Sequence, residues 1–348
     1  MKTPAHTQSQ APSRARLRCF APLLVAVALA LTGCGPSSAD RAQQSPAPST
    51  VHTGAASGFP AAVKSCDQTI RFDKAPERIV MLDTTDASIL LDLGLLDRVV
   101  ARAGTVRPGA YDAVTEQKLT EIPLLPSVGT GTGGAKVSTE AVLSAKPDLV
   151  LGYDAGVNRE QLSKAGVSLY SPEAFCPNYS VKKASFALVN DEVERVATIF
   201  GMKNKIPELT KKLTDQISAM TPGGKGRTAA ALYVMPGVST FYAYGTASMV
   251  DPIFTANGLA NSYGNENKRV FDASMENLLD RNPDWIVLLS DQGNAQQARE
   301  TFMSFNGVQD LKAVREQHVV VLPFAWTDPP SPLSVKGAVE LSKLLTAQ

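Results

Sequence analysis

Ser138-Thr-Glu-Ala-Val-Leu-Ser-Ala-Lys-Pro-Asp-Leu-Val-Leu151 and Ser274-Met-Glu-Asn-Leu-Leu-Asp-Arg-Asn-Pro-Asp-Trp-Ile-Val287 carry one pattern twice, 136 residues apart. In each, a Ser precedes a short helix with Glu at its start, and a Pro-Asp pair then stops the helix and launches an apolar strand. A helix-strand unit used twice predicts two similar α/β lobes. The place where two such lobes face each other is a natural ligand cleft.

Outward from the first copy, residues 78–82 and 99–101 read as strands flanking a helix over 87–93 that Gly94 closes. Residues 158–165 read as a helix stopped by Gly166, and 167–170 as another strand. Strands and helices alternating through short connections predict a parallel sheet. From 184 to 220 the apolar residues fall at helical spacing: Phe186, Val189, Val193, Val196, Ile199 and Phe200, then Ile206, Leu209, Leu213 and Ile217. Only Gly201 and Pro207 interrupt that run, which predicts a long helix joining the lobes. Strands resume at 229–235 and 240–244. The expected fold is α/β, with two Rossmann-like lobes built on parallel sheets, one long backbone helix between them and a ligand cleft between lobes.

The amino terminus indicates a compartment. Lys2, Arg14, Arg16 and Arg18 precede an acid-free apolar run over 21–31, too short to span a bilayer comfortably but suited to a signal-peptide core. The run ends in Leu31-Thr32-Gly33-Cys34, which resembles a bacterial lipobox, with Cys34 diacylated as the first mature residue. An ordinary secretory signal with an incidental Cys is the alternative. Residues 35–58 are Ser, Ala, Pro, Gln and Gly with almost no large apolar side chain, a composition that cannot repay the entropy of ordering. The expected organisation is a lipoprotein signal peptide over 1–33, a flexible tether over 34–58, an N-terminal lobe over 59–183, a linking helix over 184–222 and a C-terminal lobe over 223–348. Removing the signal takes four basic residues from the 34 Lys and Arg and none from the 33 Asp and Glu, leaving a net charge near −3. That balance gives no reason to expect a nucleic-acid partner. Cys66 and Cys176 are then the two thiols left in an oxidising space, where they are expected to pair; two buried free thiols are the alternative.

Catalytic patterns are scarce. His6 lies in the signal and His52 in the tether, so His318 is the single histidine of the folded part, and no Gly-x-Ser-x-Gly elbow occurs. Neither an enzyme nor a zinc- or manganese-binding protein is expected, and no catalytic or metal-ligating residue is assigned. Ferric iron held directly by Tyr and acidic residues, or haem with a Tyr axial ligand, needs no histidine and stays open. Gly129-Thr-Gly-Thr-Gly-Gly134 has dinucleotide-fingerprint spacing, but no strand leads directly into it and Ala135 stands where a phosphate loop needs Lys; a cleft-side loop is expected instead.

Lys74-Ala-Pro-Glu-Arg-Ile-Val-Met-Leu82, Leu91-Asp-Leu-Gly-Leu-Leu-Asp-Arg-Val-Val100, 140–151 and Val314-Arg-Glu-Gln-His-Val-Val-Val-Leu-Pro323 resemble the substrate-binding proteins of ABC importers for iron-siderophore complexes, haem and cobalamin. The resemblance runs from about Ser65 to the carboxyl end. It implies limited hinge closure on a ligand gripped between lobes, and delivery to a membrane permease. It also implies that Glu140 and Glu276, one in each repeat, dock onto basic permease pockets. Both also sit where a helix start favours a carboxylate, so capping is the alternative role.

Open α/β sheets bind ligands at the carboxyl ends of their strands. In the N-terminal lobe this points to 83–86, to the loop 105–111 with Arg107 and Tyr111, and to Tyr153-Asp154. In the C-terminal lobe it points to Phe241, Tyr242, Tyr244, Tyr263, Arg269, Ser290 and the Phe324-Ala-Trp326 turn. Aromatic faces with one or two Arg donors suit a bulky, partly apolar ferric siderophore. The ligand-binding residues expected are Arg107, Tyr111, Tyr153, Tyr242, Tyr244, Arg269 and Trp326. The expected function is a monomeric, lipid-anchored solute-binding protein on the outer face of the cytoplasmic membrane that captures a ferric siderophore and delivers it to an ABC permease. No resident cofactor is expected, the iron travelling inside the ligand. Haem or cobalamin import, and a surface sensor lipoprotein that no longer serves transport, are the alternatives.

Overall fold

A computed structural model of the chain describes residues 58–129, 135–153, 156–290 and 294–347. The signal, the tether up to residue 57 with Cys34, Asp154 and most of the glycine-rich loop lie outside the described residues. No described helix is long and apolar enough to cross a membrane.

The N-terminal lobe opens with a hairpin, β1 (Ala61–Ser65) and β2 (Gln68–Phe72). It continues through β3 (Ile79–Met81), α1 (Ala87–Asp92), β4 (Val99–Arg102), α2 (Ala113–Glu121), the short pair β5 (Ser127–Gly129) and β6 (Ala135–Val137), α3 (Thr139–Ser144), β7 (Leu149–Leu151), α4 (Arg159–Lys164) and β8 (Ser168–Tyr170). Its main sheet is parallel throughout, in the order β4-β3-β7-β8. Two helices, α5 (Ala187–Ile199) and α6 (Ile206–Ser218), lead to the C-terminal lobe. That lobe runs through β9 (Thr228–Val234), β10 (Phe241–Tyr244), α7 (Val250–Ala256), β11 (Ala260–Asn261), β12 (Val270–Ala273), α8 (Met275–Arg281), β13 (Trp285–Ser290), α9 (Ala295–Met303), α10 (Lys312–Arg315), β14 (Val319–Pro323) and α11 (Pro332–Thr346).

Two expectations change. The linking segment is helical, but as two helices: Gly201 adopts a left-handed φ of +68° and turns the chain after α5. The second lobe is not built on a parallel sheet alone. Its order is β12-β10-β9-β13-β14, with β11 also beside β9, and β10 is antiparallel to both β9 and β12. The six residues between β9 and β10 can close a hairpin but cannot make the crossover that a parallel pair needs.

The two repeats occupy matching places. Ser138 and Ser274 cap α3 and α8, accepting the amides of Ala141 and Asn277 at 3.1 and 3.3 Å. Each Pro-Asp aspartate then clamps the neighbouring strand. Asp148 accepts the Glu77 and Arg78 amides at 2.8 and 2.9 Å ahead of β3, and Asp284 accepts the Thr228 amide and hydroxyl at 2.8 and 2.9 Å at the start of β9.

One apolar cluster runs from Ile79 and Leu149 in the first sheet, through Val193 and Val196 of α5, to Trp285 in the second sheet and Leu341 of α11. Each sheet's outer face has its own smaller cluster, under α3 and α4 in the N-terminal lobe and under α8 and α9 in the C-terminal lobe. The lobes therefore share their largest interior instead of each burying a separate one. The cleft opens beyond it, at the carboxyl ends of the strands.

Candidate ligand cleft

Alternation along β10 places Phe241 and Ala243 in the outer core and turns Tyr242 and Tyr244 to the opposite face. The hairpin register sets Tyr233 of β9 directly across from Tyr242, with ring centroids 6.4 Å apart. Phe324, just past β14, completes this wall edge-on to Tyr233 at 5.8 Å and tilted to Tyr244 at 6.4 Å. Burial pushes the Tyr244 phenol well above its ordinary pKa, with the Asp328 charge adding to the shift, so Tyr244 is a neutral hydroxyl at physiological pH.

The facing wall comes from loops after the four parallel strands. Leu82, Asp83 and Thr85 follow β3, Arg107 follows β4, Tyr153 follows β7, and Ala174 with Phe175 follow β8. The Asp83 carboxylate accepts the Thr85 and Tyr153 amides at 2.8 and 2.9 Å, joining two of these loops. Tyr153 and Phe175 lie 5.4 Å apart, and the Arg107 guanidinium lies 5.1 Å from the Phe324 ring across the cleft. The enclosed space is about 470 Å³.

Arg269, ahead of β12, ties the walls together. Its Nε donates to Asp328 Oδ2 at 2.7 Å, its Nη1 donates to the Ala174 carbonyl at 2.9 Å, and its guanidinium lies 5.7 Å from the Phe175 ring. Asp328 is only 2% exposed, and burial raises its pKa while Arg269 pulls it back. The Ala174–Phe175 segment is anchored at Cys176, whose sulfur lies 2.13 Å from that of Cys66 in the β1–β2 turn.

Of the seven ligand-binding residues expected, Arg107, Tyr153, Tyr242, Tyr244 and Arg269 line this cleft. Tyr111 and Trp326 do not. Tyr111 is buried in the shared core and donates its hydroxyl to the Thr84 carbonyl at 2.7 Å. Trp326 donates its indole N–H to the Ala110 carbonyl at 2.8 Å, and the same carbonyl accepts Lys336 Nζ at 3.1 Å while that ammonium lies 4.5 Å from the indole ring. This is a seam between lobes, behind the cleft. Phe241 and Tyr263 belong to the outer core, Asp86 is buried beneath the N-terminal wall, and Ser290 opens onto a neighbouring depression that shares only Tyr233 with the cleft. Phe175, Tyr233 and Asp328 were not anticipated.

Other candidate features are structural. His318 stacks on Trp285 at 4.4 Å, with its Nδ1 3.1 Å from the Asp284 carbonyl, so it supports the core. Among the described residues, no three His, Cys, Asp or Glu side chains are grouped to hold a metal ion. A groove of about 620 Å³ between α6 and α11 exceeds the cleft in volume, but lysines, Glu340 and aliphatic chains line it without an aromatic face. Glu140 and Glu276 are exposed in the first turns of α3 and α8. Each helix runs back against the strand that follows it, which brings both carboxylates to the cleft end of the sheets.

Residues 79–325 match the model of the periplasmic binding protein family. The chain belongs to that family. A solved structure described as an ABC-type Fe3+-hydroxamate transport system, from Saccharomonospora viridis, is 33% identical, with a TM-score of 0.76 over 83% of this chain and 100% of that one. A cobalamin-binding protein of Halobacterium salinarum is 29% identical over 204 residues, 56% of this chain and 51% of its own length. An uncharacterized ABC transporter substrate-binding lipoprotein of Bacillus subtilis, YvrC, is 26% identical over 208 residues, 58% of this chain and 57% of its own. The matched stretch thus spans about half the length of these curated relatives. The family is one of binding proteins and not of enzymes.

Proposed function

We propose that this periplasmic binding protein captures a ferric siderophore between its lobes and delivers it to the permease of an ABC importer. The observation that carries the reading is the convergence of six aromatic rings, Tyr153, Phe175, Tyr233, Tyr242, Tyr244 and Phe324, with an arginine from each lobe around one cleft. Such walls bury a bulky, partly apolar chelate and offer donors to its oxygens. The likeness to the Fe3+-hydroxamate transport structure supports the cargo. The name of the Bacillus relative supports an importer partner and an extracytoplasmic place, with lipid on Cys34 as the anchor. The iron belongs to the ligand, so no resident cofactor is invoked. Cys66 and Cys176 pair in that oxidising space and fix the Phe175 wall. The name of the halobacterial relative favours cobalamin as the second reading, ahead of haem.

Titrating the mature protein with ferric siderophores, haem and cobalamin while following tryptophan fluorescence tests the cargo. Saturable quenching by a siderophore alone supports the first reading, and a response to cobalamin or haem alone overturns it. The Glu140→Ala, Glu276→Ala double variant tests delivery. Uptake into cells should fall while affinity stays unchanged, since exposed rim charges act on association with the permease. Unchanged uptake removes the docking role.

A further inference from the structure

Four charged side chains line the cleft among the described residues: Asp83 and Arg107 on the N-terminal side, Arg269 and Asp328 on the C-terminal side. The two cations are therefore matched by two acids. Neither acid is incidental. Asp83 accepts the Thr85 and Tyr153 amides, which fix its carboxyl group at the N-terminal wall. Asp328 is buried against the Nε edge of Arg269, and a second donor of that guanidinium is taken by the Ala174 carbonyl. Arg269 thus enters the cleft as one half of an ion pair. No lysine or histidine stands among the described lining residues to restore a positive excess.

We propose that Asp328 is a specificity-determining residue: by neutralising Arg269 it leaves the described lining of the cleft without net charge, so the site selects electroneutral metal chelates over multiply anionic ones. The inference rests on the metal-chelate reading above and narrows it. A ferric ion with three hydroxamates has no net charge, whereas with three catecholates it carries three negative charges, and haem brings two propionates. Moving a multiply charged anion out of water costs heavily unless the site supplies matching cations. An uncharged chelate of similar size meets the aromatic walls without that cost. Discrimination of this kind comes from the repulsive element as much as from the attractive one.

The test compares ferrichrome, an electroneutral ferric tris-hydroxamate, with the trianionic ferric complex of enterobactin, by calorimetric titration of the mature protein. The wild type is expected to favour the neutral chelate by at least about tenfold, and raising salt from about 50 to about 500 mM should change its affinity by less than about twofold. Asp328→Asn should shift the preference toward the trianion by about tenfold, chiefly by tightening its binding. Tighter wild-type binding of the trianion overturns the charge inference and leaves the siderophore reading standing. So does an unchanged preference in an Asp328→Asn protein that melts as the wild type does. If that variant does not fold, the wild-type preference and its salt dependence decide alone. Cyanocobalamin, which is also electroneutral, supplies the third arm. Binding of cyanocobalamin with silence toward both siderophores overturns the siderophore reading while supporting the charge rule, and silence toward all three overturns both.

Discussion

In the N-terminal lobe, Asp148 holds the amides of Glu77 and Arg78 ahead of β3; in the C-terminal lobe, Asp284 holds Thr228 at the start of β9. The same helix, the same cap and the same clamp place β7 and β13 in the two sheets. Beyond those strands the lobes part. The first presents its wall on loops that follow four parallel strands. The second presents Tyr233, Tyr242 and Tyr244 on the pleated face of an antiparallel hairpin. A duplicated unit can therefore fix the scaffold twice while leaving the ligand wall free to differ. Rings held by strand pairing are rigid, and side chains on loops can adjust to cargo.

The sharpest way to break this comparison is through the shared core. Leu149 and Trp285 hold matching positions after the Pro-Asp pair, and both are fully buried in the same cluster. Trp285→Ala should cost about 4 kcal/mol and Leu149→Ala about 3 kcal/mol of unfolding free energy. Urea denaturation should show one cooperative transition in each variant. Two separated transitions in either would mean that the lobes have independent interiors.

The clamps should differ in smaller measure. Asp284→Asn is expected to cost about 2 kcal/mol and Asp148→Asn about 1 kcal/mol, because Asp284 also pairs with Lys312 while Asp148 lies in a more exposed setting. Hydrogen bonding from Lys312, helped by Thr228, holds the Asp284 carboxyl down at about 2. A carboxyl whose folded pKa is depressed stabilises fully above its unfolded value, near 4, and loses that contribution as pH falls through the folded one. The stability gap between wild type and Asp284→Asn should therefore be flat above about pH 4 and shrink between about 4 and 2. A gap that stays constant down to acid would remove the Lys312 explanation.

The smallest effects separate the cleft from its support. Tyr242→Ala should weaken ligand binding by about tenfold, whereas Tyr111→Phe should leave affinity within about twofold and cost about 1 kcal/mol of stability through the lost bond to Thr84. Equal losses of affinity in both would return Tyr111 to the cleft.

Much of this was legible in residue order. Ser138 and Ser274 announce the caps, and the apolar triplets after each Pro-Asp announce the central strands. The break at Gly201 and the short link between β9 and β10 were also visible, but a strong helical period and an alternating pattern concealed their meaning. Tyr233 could have been found by pairing it with Tyr242 once the hairpin is recognised. Phe175 and Asp328 could not, because their places depend on contacts with Cys66, Arg269 and Ala174 across long stretches of chain. Trp326 misleads for a physical reason. A loop position suggests exposure to ligand, yet an indole N–H inside a protein seeks an acceptor, and the Ala110 carbonyl supplies one.

The interior that runs from Ile79 to Leu341 also limits how this protein can be rebuilt. Neither half encloses a complete interior, so a chain cut at the bridge between α5 and α6 would yield two fragments with complementary sticky faces. Such fragments should be insoluble apart and recover the cleft on reassembly, which makes the bridge a natural insertion point for a ligand-reporting fusion and a poor place to trim the molecule.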